Sequence, residues 1–384
     1  MPTYPTYKLS EIARSTKGKK PKSVSKEKTD GFEIPYVDIK AFEKGIVDNY
    51  TDGENCTFCK PDDVLIVWDG ARCGFVGRGV EGAIGSTLAK ISSDKYTNDF
   101  LFYFLQSKYK VLNSNPRGVG IPHIEPNLLW NFEIPNVDKT TQHAIVTRIE
   151  TLFTELDKAV QHLRTAQQQL KTYRQAVLNH WLNNEEGKWE MVKLGEVAEI
   201  KRGRSKHRPR NDKSLFGGKY PFIQTGEIRE AKGGTITTYT QTYSEKGLEQ
   251  SRLWPKGTLC LTIAANIAET AYLGFDACFP DSVVGILAQE DKLSLDYFNF
   301  FIQLVKQEIE NKASATAQKN INVDFLENLN ISLPPLAEQQ RIVKEIESRL
   351  SQATASETYI ENALQQAEAL RQSILKKAFS GELV

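Results

Sequence analysis

The sequence is poor in features that define several common classes of protein. It has only 5 cysteines in 384 residues, an odd number that does not suit the framework of a disulfide-rich secreted protein. It lacks both an apolar run of about 18 residues and a charged-then-apolar N-terminal signal. Its net charge is only +1, so any positively charged surface that binds nucleic acid must be confined to a small part of the molecule. We therefore expect a cytoplasmic protein of two or three domains that makes no contact with a membrane.

Motifs for catalysis and for metal binding are also scarce. The sequence contains neither a glycine-rich phosphate loop nor the Asn/Asp-Pro-Pro-aromatic tetrapeptide of adenine methyltransferases. Cys56, Cys59 and Cys73 suggest zinc, but no second pair and no histidine follows at ligand spacing. Asp281 followed by Glu290–Lys292 (EDK) mimics a metal-dependent nuclease, although the gap is short. We expect no cofactor, no metal ion and no catalysis by the chain alone.

What the chain does contain is a long internal repeat. Three blocks return at the same offset of 197 residues, whereas weaker matches near the start of each copy lie at offsets of 185 to 194. The length differences between the two copies therefore lie in the first part of each copy, and the last part has the same length in both. A period of this length indicates a duplicated domain with approximate two-fold symmetry, because solenoid repeats run about 20–50 residues. The three blocks pair Ile124–Asn131 with Ile321–Asn328, Ala144–Glu150 with Arg341–Glu347, and Tyr173–Leu178 with Leu370–Leu375.

Each copy ends in a predicted long helix. Lys139–Leu182 contains no glycine or proline, and its apolar residues recur at steps of three and four. Leu336–Phe379 has the same pattern, after Pro334 and Pro335 and before Gly381. Each helix would be about 65 Å long at ~1.5 Å per residue and cannot bury its apolar stripe alone. We predict that the two helices pair as an antiparallel coiled coil.

The remaining stretches predict mixed β structure with a few helices. Val64–Trp68, Ala271–Phe275 and Ser282–Leu287 are short β-type runs, whereas Phe100–Leu105 and Tyr297–Ile302 are typical of buried helices. The predicted fold class is α+β, with two similar globular α+β domains related by pseudo-two-fold symmetry and separated by a long antiparallel coiled coil of two helices. The predicted boundaries are 1–138 and 186–335 for the globular domains, and 139–185 and 336–384 for the long helices.

Three segments resemble a known family. Pro334–Val343 (PPLAEQQRIV) and Arg371–Leu383 (RQSILKKAFSGEL) are similar to signatures of type I restriction-modification specificity subunits. Trp189–Gly203 is similar to the opening of that family's recognition domain. The first copy departs from the pattern, with Pro135–His143 in place of the Pro-Pro-Leu-x-Glu-Gln form, which affects the expected start of its helix. The resemblance covers the whole chain, as two target-recognition domains that are each followed by a spacer helix.

The resemblance implies a non-catalytic subunit that binds double-stranded DNA. Each recognition domain would read one half of an asymmetric bipartite target, and the helices would set the spacing, with the readers one helical turn (about 34 Å) apart. Two DNA-methyltransferase subunits would dock along the chain and methylate an adenine in each half. Two motor-nuclease subunits would join them to restrict unmodified DNA. A coiled-coil scaffold that does not touch DNA is the main alternative, and an enzyme is the second.

Candidate DNA-binding residues lie at matching positions of the two copies. A basic stretch follows each domain opening, and such loops suit phosphates, while arginine can bind guanine edges. The alternative interpretation of each stretch is a solvated charged loop. Arg117–His123 and Ser314–Asn320 mix small residues with donors, and Asp69–Gly74 resembles a loop that family members place beside DNA. The candidates are Lys17, Lys19, Lys20, Lys22, Arg72, Arg117 and His123 in the first copy, and Arg202, Arg204, Lys206, Arg208, Arg210, Gln318, Lys319 and Asn320 in the second.

Overall fold

The computed structural model describes residues 4–118, 120–183, 189–206, 209–314 and 320–383. The chain forms two units. Unit 1 comprises Met1–Thr165 and Glu361–Val384, and unit 2 comprises Ala166–Ile360. Each unit therefore contains a globular part together with one segment of each long helix.

In its described residues, unit 1 combines three sheets with four helices that precede the first long helix. An antiparallel four-stranded sheet has the order β2-β10-β7-β8, a mixed five-stranded sheet has the order β3-β5-β4-β9-β6, and β1 pairs with β11. The strands are β1 (Thr6–Lys8), β2 (Arg14–Lys17), β3 (Val24–Ser25), β4 (Ile34–Val37), β5 (Tyr50–Thr51), β6 (Thr57–Cys59), β7 (Val64–Val67), β8 (Val76–Arg78), β9 (Gly82–Ile84), β10 (Leu88–Ser92) and β11 (Glu133–Pro135). The helices are α1 (Leu9–Ile12), α2 (Ile39–Lys44), α3 (Asn98–Ser114) and α4 (Pro126–Trp130).

Unit 2 has a related set of elements around a five-stranded sheet. The sheet order is β13-β19-β17-β18-β15, while β12 pairs with β20 and β14 pairs with β16. The strands are β12 (Glu190–Lys193), β13 (Ala198–Arg202), β14 (Phe216–Phe222), β15 (Thr235–Ile236), β16 (Gln241–Tyr243), β17 (Leu259–Thr262), β18 (Thr270–Leu273), β19 (Val283–Ala288) and β20 (Asn330–Leu333). The helices are α6 (Thr225–Ala231), α7 (Glu245–Glu249), α8 (Leu295–Ser314) and α9 (Val323–Glu327), and 3₁₀ turns cover Leu194–Glu196 and Lys213–Leu215.

The two units share one framework and differ in what is inserted into it. The order β2-β10-β7-β8 of unit 1 returns as β13-β19-β17-β18 in unit 2, and the β1-β11 pair returns as β12-β20. The insertion differs, because a five-stranded sheet in unit 1 stands where unit 2 has the β14-β16 pair. The predicted α+β class with two similar domains is confirmed, as are the short strands and the two buried helices, α3 and α8.

The long helices are α5 (Lys139–Leu182) and α10 (Leu336–Ser380). The start of α5 is fixed by Asp138, whose carboxylate accepts the Thr141 backbone N–H at 2.8 Å. This hydrogen bond to the charged form lowers the pKa of Asp138. The end of α10 is fixed by Gly381, which adopts φ 82°. The departure of the first copy from the Pro-Pro form therefore still leaves a capped helix.

Within each unit the two helices run antiparallel. In unit 1, Arg371 of α10 pairs with Asp157 of α5 and lies 4.2 Å from the Phe153 ring centroid. In unit 2, Arg174 Nη2 of α5 lies 2.9 Å from Glu357 Oε2 of α10. Because the partner positions fall along α10, from 371 to 357, as they rise along α5, from 157 to 174, the predicted antiparallel pairing is confirmed. Over the described part of the chain, no helix is long and apolar enough to cross a bilayer.

A buried glutamine near the start of each long helix ties that helix to its globular part. Gln142 Oε1 accepts the Thr97 N–H at 2.9 Å, and Gln339 Oε1 accepts the Ser294 N–H at 2.8 Å. Gln339 Nε2 also donates to the carbonyls of Lys292 and Pro334, both at 2.8 Å. Both glutamines are fully buried, and their positions differ by the repeat offset of 197. Each copy of the repeat therefore has an equivalent buried glutamine that hydrogen-bonds the long helix to the globular part of its unit.

Candidate nucleic-acid interface

Three predicted segments of unit 1 meet at the carboxylate of Asp69. Lys17 Nζ lies 2.8 Å from Asp69 Oδ2, and His123 Nδ1 lies 2.7 Å from Asp69 Oδ1. The Asp69 side chain is only 16% exposed, whereas those of Lys17 and His123 are 49% and 44% exposed. When His123 donates its Nδ1–H to Asp69, the neutral ring presents Nε2 as an acceptor. The cluster therefore holds one cation and one histidine at the surface.

Backbone hydrogen bonds fix the same cluster. Arg117 and His123 exchange N–H to carbonyl bonds of 2.8 and 2.9 Å and so form an antiparallel bridge. The Gly70 N–H donates to the Pro122 carbonyl at 2.8 Å and joins this bridge to the Asp69 loop. Arg117 itself is exposed. The structure thus places Arg117 and His123 beside Lys17, although more than 90 residues separate them in sequence.

The basic stretch of unit 1 leaves the end of β2 through a glycine that no other residue can replace. A Cβ at Gly18 would lie 2.2 Å from the Gly85 carbonyl oxygen. After this close approach, Lys19 and Lys20 are exposed, and Lys22 Nζ lies 3.7 Å from Glu54 across a largely exposed contact. Such an exposed ion pair contributes little to stability, so Lys22 can readily exchange Glu54 for another anion.

Arg72 is held against its own unit. Its Nη1 lies 2.7 Å from Glu43 Oε2, and its guanidinium carbon lies 4.1 Å from the Phe75 ring centroid. The Arg72 side chain is nevertheless 48% exposed, whereas that of Glu43 is 15% exposed. Its assignment to DNA stays a prediction, and the structure gives it a clear role in packing.

The basic stretch of unit 2 leaves its sheet in the same way. A Cβ at Gly203 would lie 2.4 Å from the carbonyl oxygens of Phe279 and Pro280, and the Gly203 N–H donates to the Val283 carbonyl at 2.9 Å. The Gly18 N–H donates to the Leu88 carbonyl at the same distance, at the equivalent end of β10. The two basic stretches therefore start from one structural position of the shared framework.

Asp281 anchors two arginines of this second stretch. Arg210 Nη2 lies 2.7 Å from Asp281 Oδ2, and Arg202 Nε donates to the Asp281 backbone carbonyl. Arg204 and Lys206 are exposed between them. Half of the Arg210 side chain, 53%, remains accessible to solvent.

The last candidates of unit 2 lie at the edge of the described chain. Arg208, Gln318 and Lys319 lie outside the described residues. Asn320 is half-buried, and the N–H of the next residue, Ile321, donates to the Ile263 carbonyl at 3.1 Å. In unit 1 the residue after His123 makes the corresponding bond to Trp68 at 2.9 Å. Asn320 therefore occupies the framework position that His123 has in unit 1.

The loop after β17 in unit 2 has a strained backbone. Ala265 and Ala268 adopt φ values of 64° and 59°, in the left-handed region that favours glycine. The corresponding loop of unit 1 has glycines there, Gly70 and Gly74, also with positive φ. Unit 2 thus keeps the loop conformation at a cost in backbone strain energy. Unit 1 avoids this strain because it has glycines in the loop.

A cleft in unit 2 was missed by the sequence analysis. It measures about 730 Å³ and lies beside the β14-β16 pair. Gln224 Nε2 donates to Gln241 Oε1 at 2.9 Å within it. No motif marks these glutamines, which are 17 positions apart in the sequence. The lining includes Arg210, Asn211, Lys213, Phe222, Gln224, Gln241 and Tyr243.

The residues that suggested metal chemistry have other roles. Cys59 Sγ donates to the Val80 carbonyl at 2.7 Å, and burial raises its pKa to about 11. Asp281 and Glu290 flank β19, which keeps them about 20 Å apart at ~3.3 Å per strand residue. All five cysteines are free thiols. Across the described ranges, no three His, Cys, Asp or Glu side chains group as metal ligands.

Comparison with known proteins identifies relatives over nearly the whole chain. The model of the type I restriction modification DNA specificity domain matches residues 1–163 and 186–366. The chain is 25% identical over 366 residues to the type I restriction enzyme MjaVIII specificity subunit of Methanocaldococcus jannaschii, covering 89% of this chain and 84% of that protein. It is 24% identical to the EcoKI specificity subunit of Escherichia coli (strain K12), covering 84% and 75% of the two chains.

Two solved structures have the same fold. A chain from a structure of the type I R-M system, solved to describe complex assembly and conformational transition, aligns with a TM-score of 0.79 at 21% identity, covering 100% of this chain and 99% of that one. The HsdS subunit from Thermoanaerobacter tengcongensis aligns with a TM-score of 0.55, also at 21% identity, covering 100% and 98%.

Proposed function

Because the chain belongs to the family of type I restriction-modification DNA specificity domains, we propose that it reads a bipartite DNA target, with each unit recognising one half. The recognition domains would be residues 1–138 and 186–335. The two halves would differ in sequence, since the insertions into the shared framework differ between the units. We place this function in the cytoplasm because DNA is the proposed ligand and the cysteines are free thiols.

The observation that carries the proposal is the equivalent origin of the two basic stretches. Gly18 and Gly203 sit at the same framework position, and each leads into a stretch of exposed cations. A protein with a net charge of +1 that concentrates lysine and arginine at two equivalent positions has two local surfaces for phosphates. In unit 1 the Asp69 cluster adds Arg117 and His123, and in unit 2 the Asp281 cluster adds Arg202 and Arg210.

The long helices would set the distance between the half-sites and dock the partner subunits. Helices of 44 and 45 residues exceed what a globular core of this size needs. We propose two methyltransferase subunits and two motor-nuclease subunits as partners, with methylation and cleavage carried by them and not by this chain. Inserting four residues into the 150–175 segment should then change the spacing that is read and leave both half-sites unchanged.

The scaffold alternative explains the helices but not the paired basic stretches. A protein that only assembles other subunits gains nothing from two equivalent cationic surfaces on the recognition framework. The enzyme alternative is disfavoured by the roles that the structure gives to Cys59 and Asp281.

Selection of bound duplexes from a random pool tests the proposal. The chain would be co-expressed with its methyltransferase subunits, and the intact complex verified before selection. We expect enrichment of two unlike half-sites around a fixed degenerate gap. An intact complex that enriches no sequence would contradict DNA recognition and favour the scaffold alternative.

A further inference from the structure

The parts of the two units that differ are the parts that can read different half-sites. The shared strands β2-β10-β7-β8 and β13-β19-β17-β18 present the same backbone in both units and cannot by themselves distinguish two DNA sequences. In unit 2 the inserted part contains β14, β16, α6 and α7, and the cleft with Gln224 and Gln241 lies there. The step from β14 to α6 has a counterpart from β4 to α2 in unit 1, but the residue that caps the helix is Gln224 in unit 2 and Asp38 in unit 1, so the two units present different side chains there. This reasoning rests on the proposed function, in which each unit reads its own half-site.

Both glutamines lie on backbone segments that hydrogen bonds hold in place. Gln241 is the first residue of β16 and pairs in register with Phe222 of β14. Gln224 follows β14 by two residues and precedes the first turn of α6, and its N–H donates to Glu227 Oε2 at 3.2 Å. The Phe222 and Tyr243 rings line the same cleft and stack on each other, with centroids 4.1 Å apart. The exposed amides are therefore carried by a rigid base, as sequence-reading groups need to be.

The hydrogen bond between the glutamines orders their remaining polar atoms. Gln224 Nε2 donates to Gln241 Oε1, so the second amide is oriented with Nε2 as a donor, while Gln224 Oε1 is an acceptor. One donor beside one acceptor matches the edge that adenine presents in the major groove, where N7 accepts and the N6 amino group donates. Guanine presents two acceptors there and would need two donors instead.

Two cationic side chains line the cleft, Arg210 and Lys213. Arg210 lies 2.7 Å from Asp281, and 53% of its side chain stays exposed. Nearby, Glu245 lies 3.0 Å from Lys219, and Glu227 accepts from the Thr240 hydroxyl at 2.7 Å. Phosphates flanking a bound base would meet Lys213 and the exposed part of Arg210.

We propose that Gln224 and Gln241 together read one adenine in the half-site that unit 2 recognises. Gln241 Nε2 would donate to N7, and Gln224 Oε1 would accept from the N6 amino group. Arg210, which can donate twice to guanine, is the competing reader in the same cleft and would produce a different base preference.

The test is duplex selection with the complete complex, carrying either the unaltered chain or a variant. In the double variant Gln224→Ala/Gln241→Ala, adenine enrichment at one position of one half-site should fall about tenfold, equivalent to about 1.4 kcal/mol. The other half-site should be unchanged. Gln289→Ala, an exposed glutamine at the far end of β19, is the matched control and should leave both halves intact.

A second variant separates reading from folding. Gln241→Glu replaces the donor by an acceptor and should shift the preference at the same position from adenine toward cytosine, whose N4 amino group donates. Retained adenine enrichment in the double variant overturns the inference, and so does a loss confined to a guanine position, which would assign reading to Arg210. If the unaltered complex enriches no target, the proposed function fails and the inference fails with it.

Discussion

Replacing Gln339 by leucine should destabilise unit 2 by about 3 kcal/mol. The change removes one acceptor and one donor group that together satisfy three backbone groups: the Ser294 N–H and the carbonyls of Lys292 and Pro334. The bond to Pro334 is buried and the other two are partly buried, and an unpaired buried group costs about 1–3 kcal/mol. The expected loss of about 3 kcal/mol is the sum of one full cost, for the buried bond, and two smaller costs, for the partly buried bonds.

Hydrogen exchange resolved by peptide is the suitable assay, because it reports each unit separately. A loss of about 3 kcal/mol raises exchange through unit opening roughly 100-fold in β20 and at the start of α8. Gln352→Leu, an exposed position on the same helix, is the control and should change stability by less than about 0.5 kcal/mol. Equal protection in the two variants would show that the buried amide does not join the helix to its domain.

Three further changes have defined outcomes. Ala265→Gly, at an exposed position, should stabilise unit 2 by up to about 1 kcal/mol in urea unfolding, since glycine adopts its positive φ without strain; a decrease in stability would refute backbone strain. Ala268→Gly should stabilise less, because Ala268 is buried and the change also removes a packed methyl group. Asp69→Asn should raise hydrogen exchange at Arg117 and His123 while changing global stability by less than about 1 kcal/mol, because the Lys17 side chain is half exposed; unchanged exchange at these two residues would show that their backbone bonds suffice. Arg204→Ala combined with Arg210→Ala should weaken DNA binding and reduce the log–log salt slope by about one for each phosphate that is no longer neutralised; an effect on thermal stability alone would remove this stretch from the interface.

Local patterns in the sequence predict the long helices but not the sites. The helix prediction succeeds because an apolar residue every three or four positions depends only on neighbours along the chain. The meeting of Lys17, Asp69 and His123 depends on pairing between distant strands, which no local pattern encodes. The same holds for Gln224 and Gln241, whose register is set by the β14-β16 pair.

The insertions also limit what the repeat can reveal. Blocks at the fixed offset of 197 align the helices and the buried glutamines, Gln142 and Gln339. The offset drifts in the globular parts. There Ile34–Val37 matches Tyr220–Ile223 at an offset of 186, so the repeat locates the first strand beside the cleft but not Gln241. Gly18 and Gly203 remain aligned because a Cβ at either would collide with carbonyl oxygens of the next strand segment.

Site-directed DNA cleavage from each unit tests the central claim most directly. An iron chelate would be attached to a cysteine at Lys19→Cys of unit 1 or at Lys206→Cys of unit 2, both exposed positions. A Cys56→Ser background removes the accessible native thiol, because the other four cysteines are buried. On the selected target, the account predicts that each position cleaves within a different half-site. Cleavage of the same half from both positions, or of neither, would contradict it.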